Sequence, residues 1–554
     1  MNSIVSQIKK YATFGAVALA AAVYTGCTDL DENPYTFISP DAFYNSSSDI
    51  NAALNNTYRA FRNMAGNARN VVARLEVATD LGEPNYRKEQ PLLDNTNAWN
   101  DVNNVSYTFS NVWSNAYAAI NDANIVLERV EDIDMDDTEK LRVKGQALFL
   151  RAYSFYYLVR IYGGCPIPVS YTSGLGGLKV PRESADKVWE RIFTDLKDAS
   201  GMLPERGTSG YDVWRASQGS CYALLGEAYL YKATISSEDN FGANKEELEE
   251  SKKYSGLVIS SQKYDLVKNY NDIWYWFNQN AKNNQESVFE LQYFAGNGGG
   301  NDMGVDFGTG NSSGLKNVAG TYNCRMGIPG EFYESYEAKD VRKNIILTEF
   351  TDSKTSVTYN YDFETQNWVD ADGNIYLPEG YAFHTLLNAK FFDPWADAVM
   401  WNTDPGTNYP MLRYSEVLLN YAEAANLLKA GDGLTELNLV HMRAGLDELP
   451  EMSQQEMDEA ILQERLWEFP GESKAYFDQL RKGVLGKRAQ AFVNKNHAIY
   501  LKNEMLSSNT NSRRKNRFST EMTFLPKKSF LWKIPQSDID SNPLLEQNPD
   551  NVSQ

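Results

Sequence analysis

Three glutamates towards the C-terminal end of the chain have the spacing that a pair of catalytic carboxylates would need. Glu464, Glu468 and Glu472 follow one another at four-residue intervals, with Arg465 and Arg481 nearby. Residues four apart on a helix lie about 6 Å apart, and glycoside hydrolysis uses two carboxylates about 5–9.5 Å apart. The same spacing occurs on any charged helix, where ion pairs between helices are the commoner use. The pattern therefore favours a scaffold over a catalytic site.

Proline weakens the catalytic interpretation further. Pro470 interrupts a helix between the last two of these acids, because its ring displaces the backbone and removes an N–H donor. Glu416 and Glu423, in an earlier apolar helix, have the same interpretation. We predict no catalytic residues and a protein that is not an enzyme.

Metal chemistry has little support in the sequence. The three histidines, His384, His441 and His497, lie far apart, and neither an HExxH nor a paired CxxC motif occurs. A zinc site needs three or four ligands, mostly from Cys and His. We predict no metal site and no cofactor.

One stretch resembles the start of a calcium-binding loop. Asp370, Asp372 and Asn374 have the alternating spacing, but Ile375 stands where that loop needs glycine and Tyr381 where it needs glutamate. A hairpin turn between short strands explains the stretch better.

The N-terminus has the features of an export signal. Lys9 and Lys10 precede an uncharged, alanine-rich run at 11–23, small residues follow at 25–26, and then comes Cys27. The run is shorter than the ~20 apolar residues that span a bilayer, and the arrangement is typical of a secretory signal. A cut directly before the cysteine resembles a bacterial lipoprotein signal. We predict a signal peptide at 1–26 and lipid attachment at Cys27, the alternative being an ordinary secretory signal with an incidental cysteine.

Charge and cysteine content exclude some classes of protein. The formal net charge is −20 at pH 7, so the surface repels nucleic-acid phosphates and nucleic-acid binding is not expected. If Cys27 carries lipid, the remaining Cys165, Cys221 and Cys324 are an odd number and form no disulfide framework.

Helical periodicity predicts an array of paired helices in the first half. The helix from Leu141 to Tyr162 should be buried on two sides and end at Gly163. In the helix Gln218–Ile235, Gly226 matches the glycine of a tetratricopeptide helix, which lets a paired helix approach closely. The other predicted helices are Val112–Val130, Asp186–Met202, Glu246–Ser261, Pro410–Lys429 and Gln454–Lys482.

The middle of the chain has a different pattern. Residues 286–294 read as a strand, 295–320 as a loop rich in Gly, Asn and Ser, and 343–385 as short strands and turns. A loop of this length inside a domain is usually functional or mobile.

Five stretches, in order along the chain, resemble the SusD/RagB family of outer-membrane glycan-binding lipoproteins. They are WSNAYAAINDANIVL (113–127), LRAYSFYYLVRIYGGCPIP (150–168), LRYSEVLLNYAEAANLL (412–428), ERLWEFPGESKAYFDQLRKG (464–483) and WKIPQSDIDSNPLLEQNP (532–549). The family usually has Gly where Ser473 stands, Arg where Ala475 stands and Gly where Asp550 stands.

The resemblance implies a fold and a division of the chain. The fold is mainly α, a tetratricopeptide-like scaffold of helix pairs with loop-rich and short-strand insertions. After the signal peptide, residues 27–262 would form the N-terminal helical region. Residues 263–554 would form the C-terminal region with the ligand loops, packed with the first as one domain.

Predicted ligand contacts lie in two irregular segments. Sugar rings pack their C–H faces on aromatic rings, and their hydroxyls need donors and acceptors such as Arg, Asn and Asp. The resemblance implies the same placement, in one early loop and one after the middle strand. The candidates are Tyr86, Arg87, Trp99, Asn100, Asp101, Tyr293, Asn297, Asp302, Phe307 and Tyr322. For Phe307 and Tyr322, anchoring of their loop on the helices is an equal alternative, and Trp274 and Trp276 are predicted to be core residues.

The function implied by the resemblance is nutrient capture. The chain would bind an oligosaccharide or polysaccharide at the bacterial cell surface, anchored in the outer membrane by lipid on Cys27. It would deliver the ligand to a SusC-like TonB-dependent transporter. The alternatives are an all-helical glycoside hydrolase and a tetratricopeptide-like assembly adaptor. The sequence does not name the glycan, and some family members handle peptides.

Overall fold

A computed structural model describes twelve stretches of the chain, and the following statements concern these alone. They are residues 44–66, 71–84, 107–171, 179–236, 240–274, 277–294, 300, 326–352, 355–376, 385–392, 406–502 and 530–548. The described helices are α1 Ser47–Ala65, α2 Ala73–Val77, α3 Tyr107–Arg129, α4 Asp137–Tyr162, α5 Ala185–Met202, α6 Gln218–Ile235, α7 Lys245–Ser260, α8 Gly330–Ser335, α9 Tyr414–Leu428, α10 Leu434–Arg443, α11 Gln454–Glu468, α12 Ala475–Arg481, α13 Leu485–Lys502 and α14 Gln536–Ser541. The described strands are β1 Glu83–Pro84, β2 Ser287–Leu291, β3 Met326–Gly327, β4 Ile346–Leu347, β5 Glu349–Thr351, β6 Thr358–Asp362, β7 Asn367–Val369, β8 Leu387–Asn388 and β9 Tyr409–Arg413.

The long helices pack as consecutive pairs, as the periodicity predicts. Helix α1 packs on α3, α4 on α5, α6 on α7 and α9 on α10. Contacts of α3 with α4, α5 with α6 and α7 with α9 join each pair to the next. The last pair follows the strand insertion in sequence but continues the same array in space.

The contact between α6 and α7, which we call the helix seam, depends on a glycine. A methyl group on Gly226 would lie 2.3 Å from Ser255 Oγ, and Ser251 Oγ donates a hydrogen bond to the Gly226 carbonyl at 2.7 Å. The rings of Tyr229 and Tyr254 lie parallel across the seam, with centroids 6.0 Å apart. The close approach predicted from the tetratricopeptide-like glycine is confirmed.

The first turns and ends of the helices follow local rules. Ser217 and Ser453 cap α6 and α11, each with a reciprocal hydrogen bond to the third helical residue, which satisfies N–H groups that have no partner inside the helix. Helix α4 is buried along almost all of its last five turns and ends at Gly163, whose φ is +76°, as predicted.

Two predicted helices are shorter than expected. The helix predicted from Pro410 begins only at Tyr414, because residues 409–413 form β9, an antiparallel partner of β2 with every side chain buried. The helix predicted over 454–482 is interrupted between Glu468 and Ala475, at the proline that the sequence marks as a helix breaker.

The insertion between α7 and α9 contains small sheets. Strands β5, β6 and β7 form an antiparallel sheet, and β4 pairs with β8. Beyond β7, the Asp370 backbone donates to the Asn374 carbonyl at 3.0 Å and its carboxylate accepts the Asn374 N–H. The stretch is the predicted hairpin turn.

The described stretches lack two further features, a membrane-spanning helix and a cluster of metal ligands. None of their helices is both long enough and apolar enough to cross a bilayer. Nor do three or more His, Cys, Asp or Glu side chains in these stretches come together as a set of metal ligands.

Candidate functional site

Most of the predicted ligand contacts fall outside the described residues. These are Tyr86, Arg87, Trp99, Asn100, Asp101, Asn297, Asp302, Phe307 and Tyr322, and the predicted lipid attachment residue Cys27 is outside them as well. What the structure does place are the residues on either side of the two predicted ligand segments, and the position of Tyr293.

Tyr293 follows β2 and is 7% exposed. Its hydroxyl donates to the Gly66 carbonyl at 3.3 Å, its backbone N–H donates to Asn408 Oδ1 at 2.9 Å, and the Arg62 guanidinium lies 5.3 Å from its ring centroid. These contacts fix the end of β2 on the end of α1. A contact of Tyr293 with a ligand stays a prediction.

The residue after Tyr293 faces outwards. Phe294 is 63% exposed and is the last described residue before the predicted middle loop. A large aromatic ring left in solvent at this position suits the composition of a sugar-binding surface, which combines aromatic rings with polar groups.

Strands β1 and β3 bring the two predicted ligand segments to one place. They pair antiparallel, with Glu83 opposite Gly327 and Pro84 opposite Met326. The chain enters the early segment directly after Pro84 and returns from the middle segment at Met326. Opposed residues of an antiparallel pair lie about 4.5–5.5 Å apart, so the described residue before the early segment and the described residue after the middle segment are neighbours.

A third part of the chain, residues 385–386, lies at the same place. Ile328 forms an antiparallel bridge with Leu386, with N–H···O bonds of 2.9 and 2.8 Å in the two directions. We call residues 83–84, 326–328 and 385–386 the loop junction. Residues 84 and 326 are 242 positions apart in the sequence and residues 328 and 385 are 57 apart, yet all three stretches meet within two strand spacings.

A small cleft lies beside the end of the β2–β9 pair. Its lining includes Trp274, Lys282, Glu290, Lys390 and Asn408, and it has a volume of ≈ 30 Å³. Binding pockets for small molecules are about 300–1,000 Å³, whereas one water needs about 10–15 Å³. The cleft accommodates a water or two rather than a sugar ring.

The polar groups on the rim of this cleft bond to one another. The Asn283 and Gln292 side-chain amides exchange hydrogen bonds of 3.0 and 2.9 Å, and Asn408 Nδ2 donates to Gln292 at 2.9 Å and to Glu290 at 2.8 Å. Burial raises the pKa of Glu290 despite its bonds to Asn408 and Ser287. This network holds the strand end from which Tyr293 and Phe294 extend.

The acidic residues that first suggested hydrolysis are buried in a different place. Glu468 accepts from Arg443 at 2.5 Å, from Arg413 at 2.8 Å and from Arg342 at 3.3 Å. Glu464 pairs with Arg342 at 2.6 Å. We call the whole set the ion cluster; its members are Glu286, Asp340, Arg342, Lys390, Arg413, His441, Arg443, Glu464, Glu468 and Glu472.

The electrostatics of the ion cluster oppose acid–base chemistry. Burial works against ionisation of Glu468, yet Arg443, Arg413 and Arg342 hold its pKa well below the usual range. A general acid needs a pKa near the operating pH. Glu468 instead stays ionised, fully buried and bonded on both carboxylate oxygens.

A second group of buried charges surrounds the link between α11 and α12. Glu423 pairs with Arg481 and with Lys482, the latter at 2.9 Å, while Lys474 bonds to Glu416 at 2.9 Å. Burial and the neighbouring Glu227 raise the pKa of Glu416. The interpretation of these acids as partners in ion pairs between helices is confirmed.

One buried acid connects this link to the loop junction. Glu76 on α2, seven residues before β1, accepts the Ser473 N–H at 2.8 Å, and burial raises its pKa to about 7. Ser473 also lies 3.3 Å from the Tyr409 hydroxyl on β9. The end of the β2–β9 pair and the approach to β1 are thereby joined through a single residue.

Ser473 has a backbone conformation that favours glycine. Its φ is +60°, in the left-handed region, which glycine adopts freely and other residues adopt at a cost. Glycine at this position would therefore fit the link without strain.

Sequence reasoning missed several residues that position the site. Glu76, Gly327 and Lys390 belong to no motif, and their partners are distant in sequence: Glu76 bonds to Ser473, and Lys390 Nζ bonds to Glu472 at 2.6 Å. For Glu76, the usable signal was an acid placed in an apolar stretch, VARLEVATDL at 72–81. Gly327 had no signal apart from its residue type.

Two family models match most of the chain. A model of the SusD family matches residues 285–550, and a model described as starch-binding associating with outer membrane matches residues 30–230. The SusD-like protein P2 of Formosa agariphila is 28% identical to this chain over 501 residues, which cover 85% of this chain and 90% of that protein.

Solved structures share the fold. A SusD homolog from Bacteroides thetaiotaomicron superposes with a TM-score of 0.71 at 21% identity, covering 92% of this chain and 97% of that chain. Surface glycan-binding protein A from the same organism, in complex with laminarihexaose, superposes with a TM-score of 0.67 at 20% identity, covering 92% of this chain and 100% of that chain. At these identities the likeness establishes the mainly helical architecture.

Proposed function

The chain belongs to the SusD family, and on that premise we propose that it is a cell-surface glycan-binding lipoprotein. It captures oligosaccharides and delivers them to a partner TonB-dependent outer-membrane transporter. The description of the family model supports an association with the outer membrane. A relative of the same fold is known in complex with laminarihexaose.

The observation that carries the proposal is the loop junction. A sugar can be held between the aromatic and polar groups of two segments only if those segments are attached to the scaffold at neighbouring positions. Pairing of β1 with β3 supplies this for the early and middle segments. In the proposal, Trp99, Arg87 and Asn100 of the early segment contact the ligand, together with residues of the middle segment.

The proposed protein binds without chemistry. Support comes from the ion cluster, because the acids with catalytic spacing are buried and held ionised by arginines. A ligand has no access to carboxylates whose oxygens are engaged inside the core.

We propose in addition that residues 27–262 and 263–554 form one domain. Helix α7 packs on α9 across the boundary. At the C-terminal end, the Trp532 N–H donates to the Ile161 carbonyl at 2.8 Å, and Asn548 Nδ2 donates to the Tyr162 carbonyl at 2.9 Å. The last described stretch, residues 530–548, is thus bonded to the end of α4.

Titration calorimetry with a panel of oligosaccharides tests the proposal, with laminarihexaose as one member. We expect saturable binding to at least one member and at least a tenfold loss of affinity for Trp99→Ala, since truncation of an aromatic ring at the centre of a binding surface costs about 2 kcal/mol or more. Trp214→Ala is the matched control, because Trp214 is 63% exposed but lies in the turn before α6. Equal losses in both variants, or no binding to any member, would contradict the proposal.

The same mixtures distinguish binding from hydrolysis. The concentration of reducing ends should stay constant over hours of incubation. An increase that depends on the presence of the protein would show that the protein is an enzyme.

Lipid attachment is tested separately, by incorporation of labelled fatty acid into the chain and its loss in Cys27→Ala. Recovery of a transporter with the tagged chain, from membranes of the native host, tests the partner.

A further inference from the structure

The turn that leads into β2 is rich in amide side chains. Residues 277–285 read FNQNAKNNQ, in which six of nine residues are Asn or Gln. Amide groups both donate and accept hydrogen bonds, so they can bond to the backbone of the turn or present the same atoms to a ligand. We call residues 277–285 the amide turn.

Four of the six amides are used inside the protein. Asn278 and Asn284 each donate to a backbone carbonyl, at 3.2 and 2.8 Å, and Gln285 donates to another at 2.6 Å. Asn283 exchanges two bonds with Gln292. These bonds fix the conformation of the amide turn.

The other two amides face the solvent. Gln279 and Asn280 are exposed, and within the described stretches neither side chain has a hydrogen-bond partner. Their backbone is nevertheless held in place, because the Asn280 N–H donates to Asn278 Oδ1 at 2.9 Å. The turn thus presents two amides from an ordered backbone, which lowers the entropic cost of binding a ligand.

Exposed aromatic rings lie at both ends of this region. Phe277, the first residue of the amide turn, is 37% exposed, and Phe294, just beyond β2, is 63% exposed. The described stretches contain only two other exposed Phe or Trp side chains, Phe241 and Trp214. Aromatic rings beside a few placed polar groups are the composition of ligand-binding surfaces.

Bonds between the amide turn and the end of β2 bring the turn to one face of the strand. Lys282 Nζ donates to the Tyr293 carbonyl at 2.9 Å, and Asn283 bonds to Gln292. After β2 the burial alternates: Gln292 is half-buried, Tyr293 is buried and Phe294 is exposed, as expected when successive side chains point to opposite faces. Gln292 and Phe294 therefore share the face on which the amide turn lies.

We infer that the amide turn and residues 292–294 form a carbohydrate-contact surface, which we call the amide surface, and that its ligand is a neutral oligosaccharide. Phe294 and Phe277 pack on the C–H faces of sugar rings, while Gln279 and Asn280 bond to sugar hydroxyls. The inference rests on the proposed function and adds a site to it.

The charge and shape of the amide surface select this ligand. Its one charged residue, Lys282, already bonds to a backbone carbonyl, whereas uncharged hydroxyls match the donors and acceptors of amides. The adjoining cleft of ≈ 30 Å³ is too small for a sugar ring. The oligosaccharide therefore lies along the surface rather than entering a pocket.

The test is calorimetry with the neutral oligosaccharide that the wild-type chain binds best. We expect Phe294→Ala to lower the affinity about tenfold or more, and Phe277→Ala to lower it less, because that ring is less exposed. Phe241→Ala is the matched control and should leave the affinity unchanged, since Phe241 is 47% exposed but lies in the turn before α7.

A second variant addresses the amides. Replacement of both Gln279 and Asn280 by Ala should lower the affinity about fivefold, since a net hydrogen bond contributes about 0.5–1.5 kcal/mol. The melting temperature should not change, because neither side chain bonds to the rest of the described protein. Unchanged affinity in Phe294→Ala, or an equal loss in Phe241→Ala, would overturn the inference.

Hydrogen exchange of the unmutated chain gives a test that needs no substitution. The oligosaccharide should slow exchange of the backbone amides in residues 277–294 and leave residues 240–260 unchanged. No slowing in 277–294 would overturn the inference, and tighter binding of an acidic oligosaccharide than of any neutral one would overturn the class of ligand. A wild-type chain that binds no member of the panel contradicts the proposed function itself, whereas a chain that binds regardless of Phe294 contradicts only the amide surface.

Discussion

The helix seam and the ion cluster hold buried surfaces together by opposite means. In the seam, Gly226 removes a side chain so that two backbones approach, and Tyr229 and Tyr254 cover the contact. In the ion cluster, Glu468 and Arg413 are both fully buried and are neutralised only by each other and by further charges. The first depends on shape, and the second depends on complete pairing.

The difference shows that acids at regular helical spacing can serve the structure rather than catalysis. Buried ion pairs gain little over apolar packing, but breaking one leaves an unpaired charge in the interior at a cost of several kcal/mol. Acids at four-residue spacing can therefore be indispensable to a scaffold. Their importance for stability says nothing about catalysis, and their pH dependence should be that of a structural group.

Acid titration should give the largest effect, acting through the ion cluster and through Glu423 of the second group of buried charges, whose pKa Arg481 and Lys482 lower against the effect of burial. Burial opposes ionisation, but arginines hold the pKa values of Glu464, Glu468 and Glu472 below the ordinary value. Such carboxylates stabilise the fold above their unfolded pKa, near 4.5, and this stability is lost as the pH falls towards their folded pKa. We expect a loss on the order of 2 kcal/mol between pH 5 and pH 3 from Glu468, whose pKa is lowered to about 2, and further losses in the same direction from Glu464 and Glu472, measured by urea unfolding. A free energy of unfolding that stays flat over this range would contradict the pairing.

Removal of one cation should come next in size. Arg413 contacts Glu286 at 2.6 Å and both Glu468 and Glu472 at 2.8 Å. Arg413→Met leaves three buried carboxylates short of a partner, so it should cost about 3–5 kcal/mol at pH 7. Arg59→Met is the control: Arg59 is exposed and bonds only to Asn56 among the described residues. If Arg413→Met lowers the free energy of unfolding by less than 1 kcal/mol, the buried carboxylates are not stabilised by pairing in the way proposed.

The stability that the helix seam contributes should depend on the size of the side chain at position 226 and not on pH. Gly226→Ala places a methyl 2.3 Å from Ser255 Oγ and should cost about 1–3 kcal/mol, the usual range for an overpacked contact. Ser255→Ala in the same chain should recover part of the loss, because it removes the atom in conflict. The loss should be equal at pH 5 and pH 7, and a loss that changes with pH would remove the contrast with the ion cluster.

Substitution of Ser473 should have the smallest effect on the free energy of unfolding, and replacement by glycine should raise that free energy rather than lower it. Ser473→Gly relieves a positive φ and should stabilise the fold by roughly 0.5–1 kcal/mol. Ser473→Ala keeps the strain and loses the contact with the Tyr409 hydroxyl, so it should not stabilise. If both substitutions are destabilising, the hydroxyl rather than the backbone decides at this position.

The sequence predicted the helix pairs well because their causes are local. The 3.6-residue period locates α4, α5, α6 and α7 to within one or two residues at most ends, and Gly226 marks the close approach. Residues 410–413 were wrongly predicted as helix, since their strand conformation depends on β2, more than a hundred residues earlier.

The loop junction was beyond sequence reasoning for the same reason. Strands β1 and β3 have two residues each, too few for a periodic pattern, and each is defined only by its partner. The ion cluster is similar: Glu464 and Glu468 show a spacing, but Arg342 and Lys390 show nothing that links them to those acids. Composition identified the segments where ligand contacts are expected, and pairing between distant residues brings together the residue before one segment and the residue after the other.

The most direct test of the account is one calorimetric titration series on the intact chain with the oligosaccharide panel, with reducing ends assayed in the same samples. The account predicts saturable binding to at least one oligosaccharide, a loss of at least tenfold in Trp99→Ala, and no new reducing ends. Release of reducing ends by the wild-type chain, or binding that is indifferent to Trp99, would contradict it.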